Sequence, residues 1–298
     1  MLHYRLEVFR AVAEWKSTTK AAASLHLSQP AVSKHIHLLE ETMRVALFRR
    51  TPKGMELTRA GAQYLDHVNE AARIHDQVVQ RLQAPSGRLT GRLRIGSNKT
   101  VLAYHLPKVL AEFKRRHPMV ICDVIDGNTD YIIGALIDQR VDVALVEGPC
   151  NRPDIQVRPF LHDDIVWICA PDDPLARKRN PSMKMVLSRP LIIREVGAGG
   201  RQFMSAELAR MRVSLDSLNI FLEIPHPEAI KRLVADRMGI GFVFRIGVAS
   251  ELASGTLVEI KCPRLTITRP FSMLLPQGPA PQGLARAFET VLFEVAEA

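Results

Sequence analysis

The twenty residues from Ser17 to Ile36, STTKAAASLHLSQPAVSKHI, leave little freedom in how this part of the chain folds. Hydroxyls at Ser17, Thr18 and Thr19 can accept the free N–H groups at the start of a helix. Ala21, Ala22 and Leu25 give that helix a narrow apolar side, which admits a close neighbour. A turn follows at His26 and Leu27. Ser28 then caps a second helix with Gln29 and Pro30 in its first turn, where the N–H that proline lacks would have had no intrahelical partner. Val32, Ile36 and Leu39 recur at i, i+4, i+7 and face inward, which leaves Gln29, Ser33, Lys34 and His37 on the opposite side. Two helices joined by a tight turn, the second polar on its outer face, are how a protein presents a helix to the DNA major groove. Glutamine pairs with adenine, lysine with guanine or phosphate, and serine with base edges or backbone oxygens. The expected DNA-contacting set on these helices is Thr18, Thr19, Ser28, Gln29, Pro30, Ser33, Lys34 and His37.

The flanking residues complete a small module. Leu6, Phe9 and Ala13, with Val8 and Val12 beside them, make an amphipathic helix able to close a three-helix core over the turn. After the second helix, Ala46–Arg50 and Met55–Leu57 flank the Pro/Gly turn Thr51-Pro52-Lys53-Gly54, which reads as a hairpin wing. Met1–Leu57 carries nine Lys and Arg against five acidic residues. Arg49, Arg50 and Lys53 on the wing are the expected phosphate clamps.

With 298 residues, 47% of them hydrophobic and 24% charged, the chain has room for two or three globular domains. The net charge of +9 favours a polyanionic partner. Cys122, Cys150, Cys169 and Cys262 form no CxxC pair, so neither a zinc cluster nor a dithiol motif is expected, and Cys122 and Cys169 fall in apolar strand-like runs where cysteine acts as a small hydrophobe. The N-terminus lacks the basic start and apolar core of a signal peptide, and no apolar run approaches the length of a membrane span. A cytoplasmic protein without membrane contact, metal or cofactor is expected.

Thr58-Arg59-Ala60-Gly61 opens a helical stretch reaching about Ala84 and closed by Pro85-Ser86-Gly87. Gly61, Leu65, Val68, Ala72, His75, Val79 and Leu82 recur four and three residues apart, a seam suited to a dimerising helix. Dimerisation fits DNA reading, because two recognition helices one turn apart match a twofold site. Beyond Arg88 strands alternate with helices: strand Leu93–Ser97, helix Leu102–His117, strand Val120–Ile125, helix Thr129–Gln139 and strand Val141–Val146. A second set follows, with strands Ile165–Ala170, Leu191–Arg194, Ile220–Ile224 and Ile240–Phe244 and helices Arg201–Arg212 and Glu228–Arg237. This alternation implies a parallel sheet in an α/β class, most economically as two lobes.

In this order of parts the chain resembles the LysR-type transcriptional regulators. The resemblance rests on Ala21–Ser33, Leu38-Leu39-Glu40, Leu47–Arg50 and Leu57–Gly61, and further on Val141–Leu145, Ala170–Ala176 and Met238–Gly241. It implies a winged helix-turn-helix over residues 1–58, a dimerising linker helix and hinge over 59–87, and an effector-binding domain over 88–298 similar to periplasmic solute-binding proteins. The first lobe of that domain would hold about 92–161 plus 269–298, and the second about 163–268. A homodimer through the linker helix is implied, with a homotetramer and RNA polymerase as further partners beside double-stranded DNA. Within the family, Val141–Pro149 looks most like the regulators of sulfur or one-carbon assimilation. Pro225-His226-Pro227 and Gly200 depart from the family pattern, which usually has a small polar turn and a threonine there.

Ligands of open α/β sheets bind at the carboxyl ends of strands, and two-lobed proteins close on them. Ser97-Asn98-Lys99-Thr100 leaves the first strand for a helix, offering hydroxyls, an amide, an ammonium and free N–H groups; the same positions line the effector cleft in the family. Gly197-Ala198-Gly199-Gly200-Arg201 also joins strand to helix, and its glycines admit an anion to the backbone. Asn128, Thr129, Glu147, Arg194 and His226 are expected at the same mouth, with Glu147 repelling an anion unless Arg194 or Lys99 neutralises it. The expected effector is an inorganic anion or a small carboxylate. A cytosolic solute-binding or enzymatic α/β protein with an incidental helical N-terminus is the alternative, although no catalytic triad, metal spacing or nucleotide fingerprint is present.

Overall fold

A computed structural model describes residues 2–52, 54–83 and 89–297. Backbone contacts divide the chain into two compact units, Met1–Val79 and Gln80–Ala298.

The first unit begins with α1 (Leu2–Trp15), α2 (Thr18–Ser24) and α3 (Gln29–Met43), followed by the antiparallel pair β1 (Phe48–Thr51) and β2 (Gly54–Leu57) and by α4 (Arg59–Gln83). Ser17 and Ser28 are the N-caps of α2 and α3, accepting from the amides of Lys20 and Ala31, and His26 turns the chain between them with a φ of 55°. Val8, Phe9 and Val12 of α1 meet Ala21, Ala22, Val32, Ile36 and Leu39 in one buried core, closed by Leu47, Phe48 and Val68. The wing is tied to this core at two points. Glu40 accepts the amides of Leu47 and Phe48 at 2.7 and 3.0 Å, and Gly54 sits at φ 115° where a Cβ would come 2.4 Å from the Lys16 carbonyl oxygen.

The long helix departs from its expected role in one respect. Val68 is buried and Leu65 half-buried, both packed on the core of their own unit, so the first part of the expected seam is already covered. The reason is spatial: these residues leave the wing directly beneath α1, where Phe9 meets the Tyr64 ring at 5.0 Å. Among the described residues, the large apolar side chains exposed on α4 are Ile74 and Val78. The side chains of Ala72, His75, Val79 and Leu82 and the hinge at 84–88 lie outside the described residues.

The second unit contains, in order, β3 (Gly91–Asn98), α5 (Lys99–Tyr104), α6 (Leu106–Arg116), β4 (Val120–Gly127), α7 (Thr129–Ile137), β5 (Val143–Val146) and β6 (Ile155–Cys169). It continues with α8 (Met183–Leu187), β7 (Leu191–Ile193), α9 (Gly199–Arg210), β8 (Ile220–Glu223), α10 (Pro227–Ala235), β9 (Ile240–Phe244), α11 (Ala249–Ser254), β10 (Val258–Ile260), β11 (Ile267–Pro276) and α12 (Gly283–Glu297). All nine strands join one mixed sheet in the order β4-β3-β5-β11-β6-β9-β7-β8, with β10 on β6. The pairs β3/β4, β3/β5, β7/β8 and β7/β9 are parallel, as the alternating pattern requires, while β6 and β11 are antiparallel to their neighbours. Alternate residues of a strand face opposite sides. Val143 and Leu145 therefore point into the large core with Phe113 and Phe288, while Ala144 and Val146 pack with Ile132 of α7.

Two sequence expectations are corrected. The strand expected at Ile165–Ala170 is the last third of a 15-residue strand, which pairs from Ile155 to Ile165 with β11 and joins both halves of the sheet. The helix expected over Leu102–His117 breaks at His105, because Pro107 lacks the N–H and the space to continue a helix begun at Lys99.

His105 at that break is buried and stacked on Phe160 with 5.2 Å between ring centroids, and its Nε2 has no hydrogen-bond partner. Burial, and then the Lys108 charge, hold its pKa below the usual histidine value. The fold thus keeps a neutral imidazole, whereas the unfolded chain takes up that proton near pH 6.5. Stability is complete above that pH and falls as pH drops below it. Urea unfolding at about pH 8 and about pH 5.5 should show this loss, and His105→Gln should reduce it. An undiminished loss in the variant assigns the effect elsewhere.

Candidate functional site

Two surfaces gather the residues singled out by the sequence. On the first unit, the stripe Val32, Ile36, Leu39 is buried, and the opposite side of α3 carries a polar strip. Gln29 Nε2 donates to Ser33 Oγ at 3.0 Å and, more weakly, to Thr18 Oγ1 at 3.4 Å, so three side chains from two helices lie in one exposed line. Thr19, Pro30 and Lys34 are exposed beside it, and Ser28 is occupied as the cap. His37 faces solvent with Nε2 at 3.3 Å from Glu41. On the wing, Arg49 is paired with Glu56 at 2.9 Å, whereas Arg50 is exposed and has no acidic partner among the described residues. Lys53 lies outside the described residues.

On the second unit, the carboxyl ends of β3, β5 and β7 and the starts of α5, α9 and α10 converge on a cavity between the two halves of the sheet. Its volume, measured as space open to the centre of a water molecule, is about 20 Å³. That is room for one or two waters or a small ion. Of the expected residues, Thr100, Glu147, Arg194, Gly200 and Arg201 line it. Tyr104, Pro227, Lys231, Phe242, Phe244 and Gly247 also line it, and the sequence reading missed them.

The remaining expected residues build the walls rather than the lining. Ser97 is buried in β3 with its Oγ donating to the Asn98 carbonyl. Asn98 and Asn128 cap α5 and α7, accepting from the amides of Val101 and Tyr131. Lys99 Nζ donates to the Pro225 carbonyl at 2.7 Å, and Asn128 Nδ2 to the Val196 carbonyl at 3.3 Å, so both span the mouth of the cleft. Gln202 reaches across the same mouth to Asp130 at 3.0 Å. Thr129 and Gly199 are buried against Gly148. His226 is exposed at the start of α10 and does not reach the cavity.

The electrostatics of the cavity are unusual for so small a space. Glu147 is 2% exposed, and its Oε2 has no hydrogen-bond partner. Burial raises its pKa, opposed by the Arg194 guanidinium 3.9 Å away and by the Thr100 hydroxyl, so the neutral acid is favoured relative to an ordinary carboxylate. Arg194 is committed mainly to Glu195 at 2.8 Å. Burial alone would raise Glu195, but its hydrogen bond and charge contact with Arg194 outweigh this and hold the carboxyl low. Arg201 donates to the Arg194 carbonyl and pairs with Glu223, both at 2.8 Å. Lys231 is buried among Glu228, Glu251, the Gly247 carbonyl and the Tyr104 hydroxyl at 2.6 to 3.2 Å. All three cations are therefore paired with protein groups, whereas Glu147 Oε2 is buried without a hydrogen-bond partner. Lys231 had a sequence signal: it falls on the buried stripe Pro227, Ile230, Lys231, Val234 of an amphipathic helix, where a lysine must find partners.

Among the described residues no group of His, Cys, Asp and Glu could hold a metal ion, and no helix is long and apolar enough to cross a membrane. Cys169 and Cys262 are buried and carry no perturbation towards thiolate; burial pushes Cys169 up to about 12.

Residues 3–62 match the family model of the bacterial regulatory helix-turn-helix proteins of the lysR family, and residues 86–297 match that of the LysR substrate binding domain. The chain is 32% identical over 260 residues to the uncharacterized HTH-type transcriptional regulator YeiE of Escherichia coli K12, covering 87% of this chain and 86% of that one. It is 30% identical over 296 residues to the RuBisCO operon transcriptional regulator of Allochromatium vinosum, covering 98% and 96%. Among solved structures, the Synechocystis PCC6803 CcmR regulatory domain in complex with 2-PG superposes with a TM-score of 0.64 at 27% identity, covering 70% of this chain and 98% of that one.

One contact fixes the width of the cleft. A Cβ on Gly148 would stand 2.6 Å from Thr129 Oγ1 and 2.8 Å from the Gly199 Cα, so only glycine lets the two backbones meet. Gly148→Ala should destabilise the protein by about 1–3 kcal/mol and speed amide exchange at Gly199–Arg201. Gly200→Ala, whose Cβ meets only the Phe244 ring at 3.3 Å, should be mild. Equal behaviour of the two variants in hydrogen-exchange mass spectrometry would show that this contact does not set the closure.

Proposed function

The chain belongs to the LysR family of bacterial helix-turn-helix transcriptional regulators, and from that premise we propose that its first unit reads a specific DNA sequence under the control of a small anion bound in its second. The observation that carries the DNA half is the line Thr18–Gln29–Ser33 on the face of α3 opposite its buried stripe. Gln29, Ser33, Lys34 and His37 address base edges, while Thr18, Thr19, the α3 start at Ser28 and Pro30, and the wing cations Arg49, Arg50 and Lys53 hold phosphates.

The effector half rests on the cavity's contents. An entering anion exchanges partners with Glu195 and Glu223 at Arg194 and Arg201, and its charge is compatible with Glu147 only when that acid is neutral. Thr100 and the amides at the start of α9 supply further donors. The small reachable volume favours an inorganic anion or a short carboxylate, a class consistent with a related regulatory domain solved with 2-PG. Binding resets the output only through unequal affinity for the open and closed cleft. Residues 1–58 are assigned to DNA, 59–87 to a dimerising helix and hinge, and 88–298 to the effector. The assembly is a homodimer or homotetramer that meets RNA polymerase in the cytoplasm, without catalytic activity or cofactor of its own.

Three measurements test this reading. Gln29→Ala or Ser33→Ala should lose about 1–3 kcal/mol of discrimination at particular base pairs, whereas Arg50→Ala should weaken all sequences alike and lower the salt slope by about one. Matching profiles in a binding-site selection would remove the division into readers and clamps. A thermal-shift screen of sulfate, phosphate and short carboxylates on the whole chain should find an anion that stabilises it, by about 2.7 kcal/mol at a hundredfold excess over Kd. Affinity for that anion should increase as pH falls, because Glu147 is then protonated more fully, and Glu147→Gln should flatten the dependence. A pH profile unchanged in the variant removes Glu147 from the site.

A further inference from the structure

The positive charge of this chain is concentrated in two places. Residues 1–57 hold one excess, nine basic against five acidic. The other lies between Asp173 and Glu195, where six Lys and Arg stand without a single acid. Together these stretches exceed the net charge of +9, so the rest of the chain is marginally acidic.

The structure divides those six cations. Arg194 belongs to the cleft, and Arg189 is clamped by Asp173. Arg177, Lys178, Arg179 and Lys184 are exposed and have no acidic partner among the described residues. The nearest acids in sequence are already spent, Asp172 on Arg237 and Asp173 on Arg189. The segment is held in place by consecutive turns. Leu175 is buried beneath it, the amides of Ala176 and Lys178 donate to the carbonyls of Asp173 and Leu175 at 2.9 and 3.1 Å, and Ser182 caps the short helix that carries Lys184. An ordered scaffold thus displays four unneutralised cations, at the cost of mutual repulsion that a partner would relieve.

We propose that the turn bearing Arg177, Lys178, Arg179 and Lys184 is a second nucleic-acid contact, which holds duplex DNA phosphates while the helix-turn-helix unit reads the site. This rests on the DNA-binding reading above. Phosphates require charge and little else. An acidic protein surface would in addition call for apolar or aromatic anchors, and the only large apolar side chain exposed in this segment is Met185. Tethering to a unit that already holds DNA also raises the effective concentration of phosphates, so four weak contacts suffice.

The test uses the full chain and one site selected by the wild-type protein from a random-sequence pool. The site is placed in a duplex just long enough to contain it and in one with about two helical turns of flank on each side. The wild type should show a steeper fall of log K with log salt on the longer duplex. In the variant R177Q/K178Q/R179Q/K184Q that slope should drop by about two to four, at about 0.9 per phosphate contact, while the short duplex is bound as before. The charge-conserving R177K/R179K should retain the wild-type slope. A quadruple variant that keeps the steep slope overturns the proposal, as does one that loses equally on both duplexes. A variant with unchanged slopes that no longer binds poly-glutamate reassigns the turn to an acidic protein partner. Failure of the wild type on the short duplex overturns the DNA reading itself, together with this extension of it.

Discussion

The two halves of the effector sheet meet backbone to backbone at Gly148 and Gly199, where neither residue has space for a side chain. Everything in the cleft is arranged around that approach. Gly148 follows Glu147 at the end of β5, and Gly199 precedes Gly200 and Arg201 at the start of α9, so the contact carries an acid from one half into a wall of cations from the other. The closeness also removes water, which is why burial dominates the behaviour of Glu147. Around the same approach, bonds from Lys99 to Pro225, Asn128 to Val196 and Gln202 to Asp130 span the mouth.

A cleft closed in this way is balanced internally. Each buried cation has protein partners, and Glu147 Oε2 alone among the cleft-lining side-chain atoms is buried and unmatched. Removing one member of a buried ion pair leaves an uncompensated charge at high cost, so a cation here can give up a carboxylate only in exchange for another anion. In the proposed reading the effector is that other anion, and its affinity depends on which protein carboxylate it replaces. The DNA unit follows the opposite logic. Its polar strip carries only exposed side-chain hydrogen bonds and Arg50 has no acidic partner among the described residues, so a duplex meets them without undoing a buried pair.

Legibility in the sequence followed the range of the interaction. Ser17 and Ser28 were readable as caps because a cap is settled within three residues, and the stripe Val32, Ile36, Leu39 because helical spacing is local. The seam of α4 was readable as apolar, but not as covered, since Val68 is buried by residues some sixty positions away in α1. The strand Ile155–Cys169 was half hidden: Pro159, His162, Asp163 and Asp164 interrupt its apolar pattern and are tolerated because this stretch lies along β11 between the two halves. Pro107 did announce the break at His105, and the apolar rhythm on either side masked it.

The sequence by itself determined the helix-turn-helix, its polar face, most of the alternating strands and helices up to Phe244, and the loops from which a cleft could be made. Capping, periodicity and turn chemistry act over a few residues and need no fold to be read. Only the tertiary structure decided what the cleft contains. Tyr104 reaches Lys231 across 127 positions, Gly247 and Glu251 complete that lysine's shell, and Lys99 finds its acceptor 126 positions away. It also withdrew His226 to the surface and left Glu147 Oε2 without a hydrogen-bond partner. Charge pairing and desolvation depend on distances in space, and these exist only after the chain has brought remote segments together.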